Sequence, residues 1–145
     1  VVTVSYSLGF SQAVAVALFV ADKVQQGMYE FVPTKALSEQ LGIPAPSAVK
    51  ILQALNRAGI VETREGAKGG VRLALAPAKV SLLDVFTAIE ADRPLFRTDL
   101  SFTVGGAKPT RARAAIGSVL GDAENSMKQS LDKTTIAALL KEINP

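Results

Sequence analysis

With 145 residues, 48% of them hydrophobic and 20% charged, the chain can bury a core of its own and is too apolar to be disordered. It contains no cysteine and no histidine. That excludes disulfides, zinc fingers, thiolate clusters, cysteine nucleophiles and any triad or acid–base scheme built on imidazole. A net charge of +3 and a pI near 9.3 permit a nucleic-acid partner without arguing for one.

Phe10 to Gln26 reads as a helix with Phe10, Val14, Ala17, Leu18, Ala21 and Val24 at helical spacing and Gly27 as its stop. The longest uninterrupted apolar run in it, Ala13 to Ala21, is too short to span a bilayer. No basic segment precedes it and Asp22-Lys23 follow, so neither a membrane partner nor a secretory signal is expected, and the cytoplasm is the expected location. Met28 to Val32 is short and β-prone.

Thr34 to Gly42 reads as a short amphipathic helix, with Thr34 able to cap it and Leu37 and Leu41 on one face. Ile43-Pro-Ala-Pro46 is a rigid turn. Ser47 to Arg57 is a second helix, stopped at Gly59, whose buried face is expected to hold Val49, Leu52, Leu55 and Ala58. Residues 60–64 and 71–75 alternate like strands around a glycine-rich tip, Glu65-Gly-Ala-Lys-Gly-Gly70. Ser81-Leu-Leu-Asp84 has the form of a capping box opening a helix to about Glu90. Ala91 to Pro109 has no periodicity and reads as a loop. Arg111 to Leu131 is a longer helix with an apolar stripe of Ile116, Leu120, Ala123, Met127 and Leu131. Thr134 or Thr135 caps a last short helix.

The predicted fold is therefore mainly α with a small β-hairpin wing: a winged helix–turn–helix unit at residues 1–91, a loop at 92–109, and a dimerisation helix with a C-terminal tail at 110–145. Residues 46–57 are the candidate recognition helix, because a helix fits the major groove and its first turns reach base edges. Ser47, Lys50 and Gln53 lie three apart along its outer side; the bland alternative is an ordinary solvated face. In the wing, residues 62–74, Arg64, Lys68 and Arg72 are candidate phosphate contacts, and Gly69 and Gly70 let the backbone approach DNA. Thr34 joins this set at the start of the preceding helix. The alternative there is a plain hairpin loop. The stripe on the long helix is either a dimer seam or intrachain core. With no thiol or imidazole, no cofactor and no metal site are expected, and the remaining ligand types suit magnesium or calcium rather than iron.

Several of these segments together resemble one family. Gly42-Ile43, Leu55-Asn-Arg-Ala-Gly-Ile-Val61, the wing Arg64-Glu-Gly-Ala-Lys-Gly-Gly70, the run Val80-Ser-Leu-Leu-Asp-Val-Phe-Thr-Ala-Ile-Glu90 and the stretch at 8–18 look like the Rrf-two family of bacterial winged-helix transcriptional regulators. The resemblance covers roughly Leu8 to Ala91. It implies a homodimer on a palindromic operator in double-stranded DNA, acting as a repressor, with Ser47, Lys50 and Gln53 in the major groove and Lys68, Gly69 and Gly70 in the minor groove. A small-molecule effector is a further candidate partner. Many members hold an iron–sulfur cluster on three cysteines between the Ser-Leu-Leu-Asp helix and the long helix. Residues 91–109 contain none, so the resemblance is to a cysteine-free member without those ligands. The reading from a different class is a winged-helix module that binds protein partners and no DNA. An enzyme is not expected, since no paired carboxylates stand out.

Overall fold

The computed structural model describes residues 8–90 and 93–145; the expected domain start at residue 1 and boundary at 91–92 lie outside them. The elements run α1 (Leu8–Gln25), α2 (Thr34–Leu41), α3 (Ala45–Arg57), β1 (Val61–Arg64), β2 (Gly70–Leu73), a 3₁₀ turn at Pro77–Lys79, α4 (Leu82–Glu90), α5 (Ala107–Asp132) and α6 (Ile136–Ile143). The two strands form an antiparallel hairpin.

α1 is the centre of the packing and touches α2, α3, α4, α6 and β2. Its buried face is Ala13, Val16, Ala17, Val20 and Ala21, a helical repeat one step away from the expected one. Phe10, Val14, Leu18 and Val24 flank that face and pack on the core from its rim. The small residues take the centre because alanine lets neighbouring backbones approach closely, and the larger side chains fill the wedges on either side. Phe10 meets Phe86 of α4 edge to face, with centroids 5.2 Å apart. By length and composition the whole 18-residue helix is apolar enough to cross a membrane. Here that apolarity serves the core.

α2 begins after Pro33 in an extended conformation, and no side chain caps it. Thr34 is already inside the first turn, so its expected capping role is not realised. The helix ends on Gly42 at φ 64°, a left-handed value that glycine takes without steric cost. Ser38 then secures the exit: its carbonyl accepts from the Ile43 amide at 3.1 Å, and its hydroxyl donates to the Ile43 carbonyl at 2.6 Å. α3 starts at Ala45, with Pro44 before it and Pro46 within the first turn. The turn between the helices is thus shorter than the sequence suggested, since proline needs no amide partner at a helix start.

The Ser81–Asp84 capping box is present. The Ser81 amide donates to Asp84 Oδ2 at 3.0 Å, and the Asp84 amide donates to Ser81 Oγ at 3.1 Å. Thr135 caps α6 through a 3.1 Å bond from the Ala138 amide. Around these two caps the chain closes on itself. The Ile136 amide donates to the Val80 carbonyl and the Leu82 amide to the Thr134 carbonyl. α6 therefore returns to the first domain, and its Ile136 and Leu140 are buried in the same core as α1. A division of the chain at residue 110 cuts across this packing.

α5 begins at Ala107, four residues earlier than expected, so the last three residues of the expected loop are helical. Pro109 falls in its first turn, where its missing amide costs nothing. At 26 residues α5 is about 39 Å long, and none of its residues is buried.

Because Leu140 belongs to the common core, Leu140→Ala is expected to lower the unfolding free energy by about 2–5 kcal/mol. Urea denaturation of the whole chain measures it. A loss under about 0.5 kcal/mol, the range of an ordinary surface change, would mean that α6 does not pack there.

Candidate nucleic-acid interface

α3 presents two unlike faces. Ala48, Ile51, Leu52 and Leu55 are buried and lock the helix to the rest of the core. The opposite face carries Pro46, Val49, Lys50, Gln53, Asn56 and Arg57, all exposed. The sequence reading placed Val49 and Ala58 inside; Val49 is instead 45% exposed and Ala58 lies in the exposed exit turn. The set 48, 51, 52 and 55 follows the three-four-seven repeat of a buried helix face. The repeat is present in the sequence, but alanine at 48 is a weaker apolar signal than valine at 49. Lys50 and Gln53 lie on the outer face as expected, joined by Val49, Asn56 and Arg57. Ser47 sits at its margin, half-buried.

The hairpin holds the register Val61 with Leu73, Glu62 with Arg72, Thr63 with Val71 and Arg64 with Gly70. It is anchored to the body by a pair of bonds between Val32 and Val71, 2.8 and 2.9 Å long. This is all that the β-prone segment 28–32 contributes as a strand. Gly70 exists for that anchor. A Cβ there would stand 2.2 Å from the Val32 carbonyl oxygen, and its φ is 150°. A Cβ on Gly69 would stand 2.2 Å from the Arg64 carbonyl oxygen across the tip, whose turn closes through the Gly69 amide and the Gly66 carbonyl at 2.9 Å. Both glycines thus have a steric reason within the hairpin, independent of any partner.

The two wing arginines are engaged locally. The guanidinium groups of Arg64 and Arg72 lie over the Phe31 ring, 4.2 and 4.4 Å from its centroid. Arg64 donates to Glu30 at 3.3 Å and to the Lys68 carbonyl at 2.9 Å. Arg72 donates to Glu62, its cross-strand neighbour, and lies 3.8 Å from Glu30. Two cations, two carboxylates and one aromatic ring thus brace the wing against the segment before α2. Lys68, at the tip, is exposed and has no carboxylate within ion-pair distance among the described residues. Thr34 follows directly on Pro33, against which the wing root rests, so the start of α2 and the wing are neighbours.

On α5 the expected stripe is open. Ile116 and Ala123 are exposed, and Leu120, Met127 and Leu131 are half-buried. Val119, outside the expected stripe, is 66% exposed. Arg113, one of three basic residues in the first two turns of α5, donates to the Leu100 carbonyl at 3.1 Å and lies over Phe102, so it holds the preceding segment.

The family model described as "Iron-dependent Transcriptional regulator", Rrf2, matches residues 6–142. An HTH-type transcriptional regulator of Synechocystis sp., slr0846, is 41% identical over 69 residues, 48% of this chain and 47% of the relative. The chain thus spans about half the length of that cyanobacterial relative. The HTH-type transcriptional regulator YffB of Lactococcus lactis is 28% identical over 94% of this chain and 86% of its own. Among solved structures, IscR of T. potens superposes with a TM-score of 0.70 at 23% identity, covering 97% of this chain and 88% of that one. CymR, the global cysteine regulator of B. subtilis, does so at 0.71 and 17%, covering 97% and 98%. At these identities the structures establish the winged-helix fold. The iron in the family's description does not fit the residues present here. Iron–sulfur clusters are held by thiolates, with imidazole as the usual substitute, and the chain has neither. Among the described residues no three acids gather where a metal ion could be held.

The steric role of Gly70 gives a sharp test. Gly70→Ala is expected to cost about 1–3 kcal/mol and to speed hydrogen exchange at the Val32 amide. Gly105→Ala, where a Cβ meets nothing within 4 Å, should stay within about 0.5 kcal/mol of wild type. Equal stabilities for the two variants would remove the close approach between the wing and Val32.

Proposed function

The chain belongs to the Rrf2 family of transcriptional regulators, and from that premise we propose that it is a dimeric repressor that binds a palindromic DNA operator, with α3 in the major groove and the β1–β2 wing along the minor groove. The observation that carries this reading is the outer face of α3. Val49, Lys50, Gln53, Asn56 and Arg57 have no part in the core, yet they stand on a helix fixed rigidly by its inner face. Gln53 can make a bidentate pair with adenine, Lys50 can reach guanine or a phosphate, and Val49 offers an apolar contact to a thymine methyl. Ser47 and Thr34 supply hydroxyls at the margins, where backbone contacts set the register.

In the wing, Lys68 is the phosphate contact. Arg64 and Arg72 act one step back, by holding the hairpin at its angle. Gly69 and Gly70 allow the tip to be narrow enough to follow the backbone. The protein works on chromosomal DNA in the bacterial cytoplasm, as a regulator rather than an enzyme. Its signal is not an iron–sulfur cluster, since the donor set is missing.

Dimerisation through α5 completes the reading. A helix of this length with Ile116 and Val119 exposed and Leu120 only half-buried needs a second surface, and a two-fold pairing of like helices supplies it. Two half-sites are then engaged together, which multiplies a modest single-site affinity.

Two measurements test this. Gln53→Ala is expected to cost about 1–3 kcal/mol at one base position, and Lys68→Ala to weaken binding on all sequences while flattening the salt slope by about one. Titration of operator DNA at several salt concentrations separates the two effects; no salt-dependent binding at all would defeat the DNA-binding reading. Light scattering should give twice the chain mass for wild type and the single mass for Leu120→Asp, which puts a charge into the seam. A monomeric wild type, or a Leu120→Asp dimer with full operator affinity, would assign the stripe to another use.

A further inference from the structure

A cavity of about 550 Å³ opens between α1, β2, the 3₁₀ turn and α6. Its walls are apolar: Ala21 and Val24 from α1, Leu73 from β2, Pro77 from the turn, and Ala137 and Leu140 from α6. Its size falls in the range of small-molecule sites, which combine an apolar lining with a few placed polar groups. The polar side chains in the lining are Gln25, Arg72, Lys141 and Asn144. Asn144 donates to Asp22 at 2.9 Å and so fastens the end of α6 to α1. Arg72 lines one edge, but its guanidinium is already engaged by Glu62, Glu30 and Phe31. Lys141 differs. It lines the cavity, it is exposed, and among the described residues no carboxylate lies within ion-pair distance of it.

We propose that this cavity binds a small apolar carboxylic acid, its hydrocarbon body against Ala137, Leu140 and Val24 and its carboxylate on Lys141. Charge decides between an acid and a neutral or cationic ligand: among the described residues Lys141 is the lining cation without an acid of its own, and it selects an anion. The volume is that of a compact molecule rather than a folded partner. In calling the ligand an effector, the proposal rests on the DNA-binding reading. Leu73 adjoins Arg72 on the wing strand, so an occupant touches the strand whose position the Phe31 brace sets.

The probe is 2-naphthoate, with 2-naphthamide as its uncharged counterpart, titrated into the full chain without DNA. The chain has no tryptophan, so naphthoate emission is read without that background. One saturable site per chain is expected for naphthoate. Ala137→Phe, which puts a ring on the wall where the hydrocarbon body is placed, should abolish it. Lys141→Gln, a change at an exposed position that leaves the fold intact, should weaken naphthoate about tenfold and leave naphthamide unchanged. Absence of saturable binding, equal affinity for acid and amide in the wild type, or wild-type affinity in Lys141→Gln would overturn the site. A second titration, with operator DNA present, addresses only the effector role. A shift in operator affinity on adding naphthoate, lost in Lys141→Gln, supports it, and an unchanged affinity overturns that role while the binding result stands.

Discussion

The packing of α1 is the interaction on which everything else depends. Ala13, Val16, Ala17, Val20 and Ala21 form a smooth strip, and α2, α3, α4, α6 and β2 all seat against that helix. Burying this strip orders a helix that is marginal alone, because most helical stability in proteins comes from tertiary contact. It also fixes the spatial relation of α3 to the wing. α3 reaches α1 through its inner face, and β2 reaches it directly. Neither functional element could shift independently without exposing part of the same strip.

The second constraint is steric rather than hydrophobic. The wing backbone is pinned to the segment before α2 by the Val32–Val71 pair of hydrogen bonds, and it comes that close only because residue 70 has no side chain. Around that contact Phe31 collects two guanidinium groups, and Glu30 and Glu62 neutralise them. Individually such partly exposed ion pairs are worth little, on the order of 0–1 kcal/mol. Together, over an aromatic ring that is itself buried, they restrict the orientation of a short hairpin that has no sheet to lean on. A two-stranded ribbon is not stable by itself, so its bracing is part of any function it has.

α5 stands apart from this economy of contacts. Its only packed neighbour of consequence among the described elements is α4, with Glu124 accepting from the Leu95 amide and Arg113 holding Leu100. This 26-residue helix has no fully buried residue, and its half-buried positions include Leu120, Met127 and Leu131. The first domain differs, since α6 closes its core from the same chain.

Local signals determined much of this protein from sequence alone. Gly27, Gly42 and Gly59 end three helices, and the Ser81–Asp84 pair opens a fourth, because capping and left-handed turns act over three or four residues and leave a direct mark on residue type. The hairpin and its tip were legible for the same reason, and so was the outward placement of Lys50 and Gln53. What tertiary structure decided was every question of which neighbour a side chain meets. Val49 rather than Ala48 turned outward, and Ala48 shares the buried face with Ile51, Leu52 and Leu55. Arg64 and Arg72 turned to Phe31 because residues thirty or more positions earlier lie beside the wing, a proximity without any sequence signature. Gly69 and Gly70 proved to be demanded by carbonyl oxygens of Arg64 and Val32. The chain's last helix joined its first because the backbone at Ser81 pairs with that at Thr135, and no periodicity within either segment encodes that meeting.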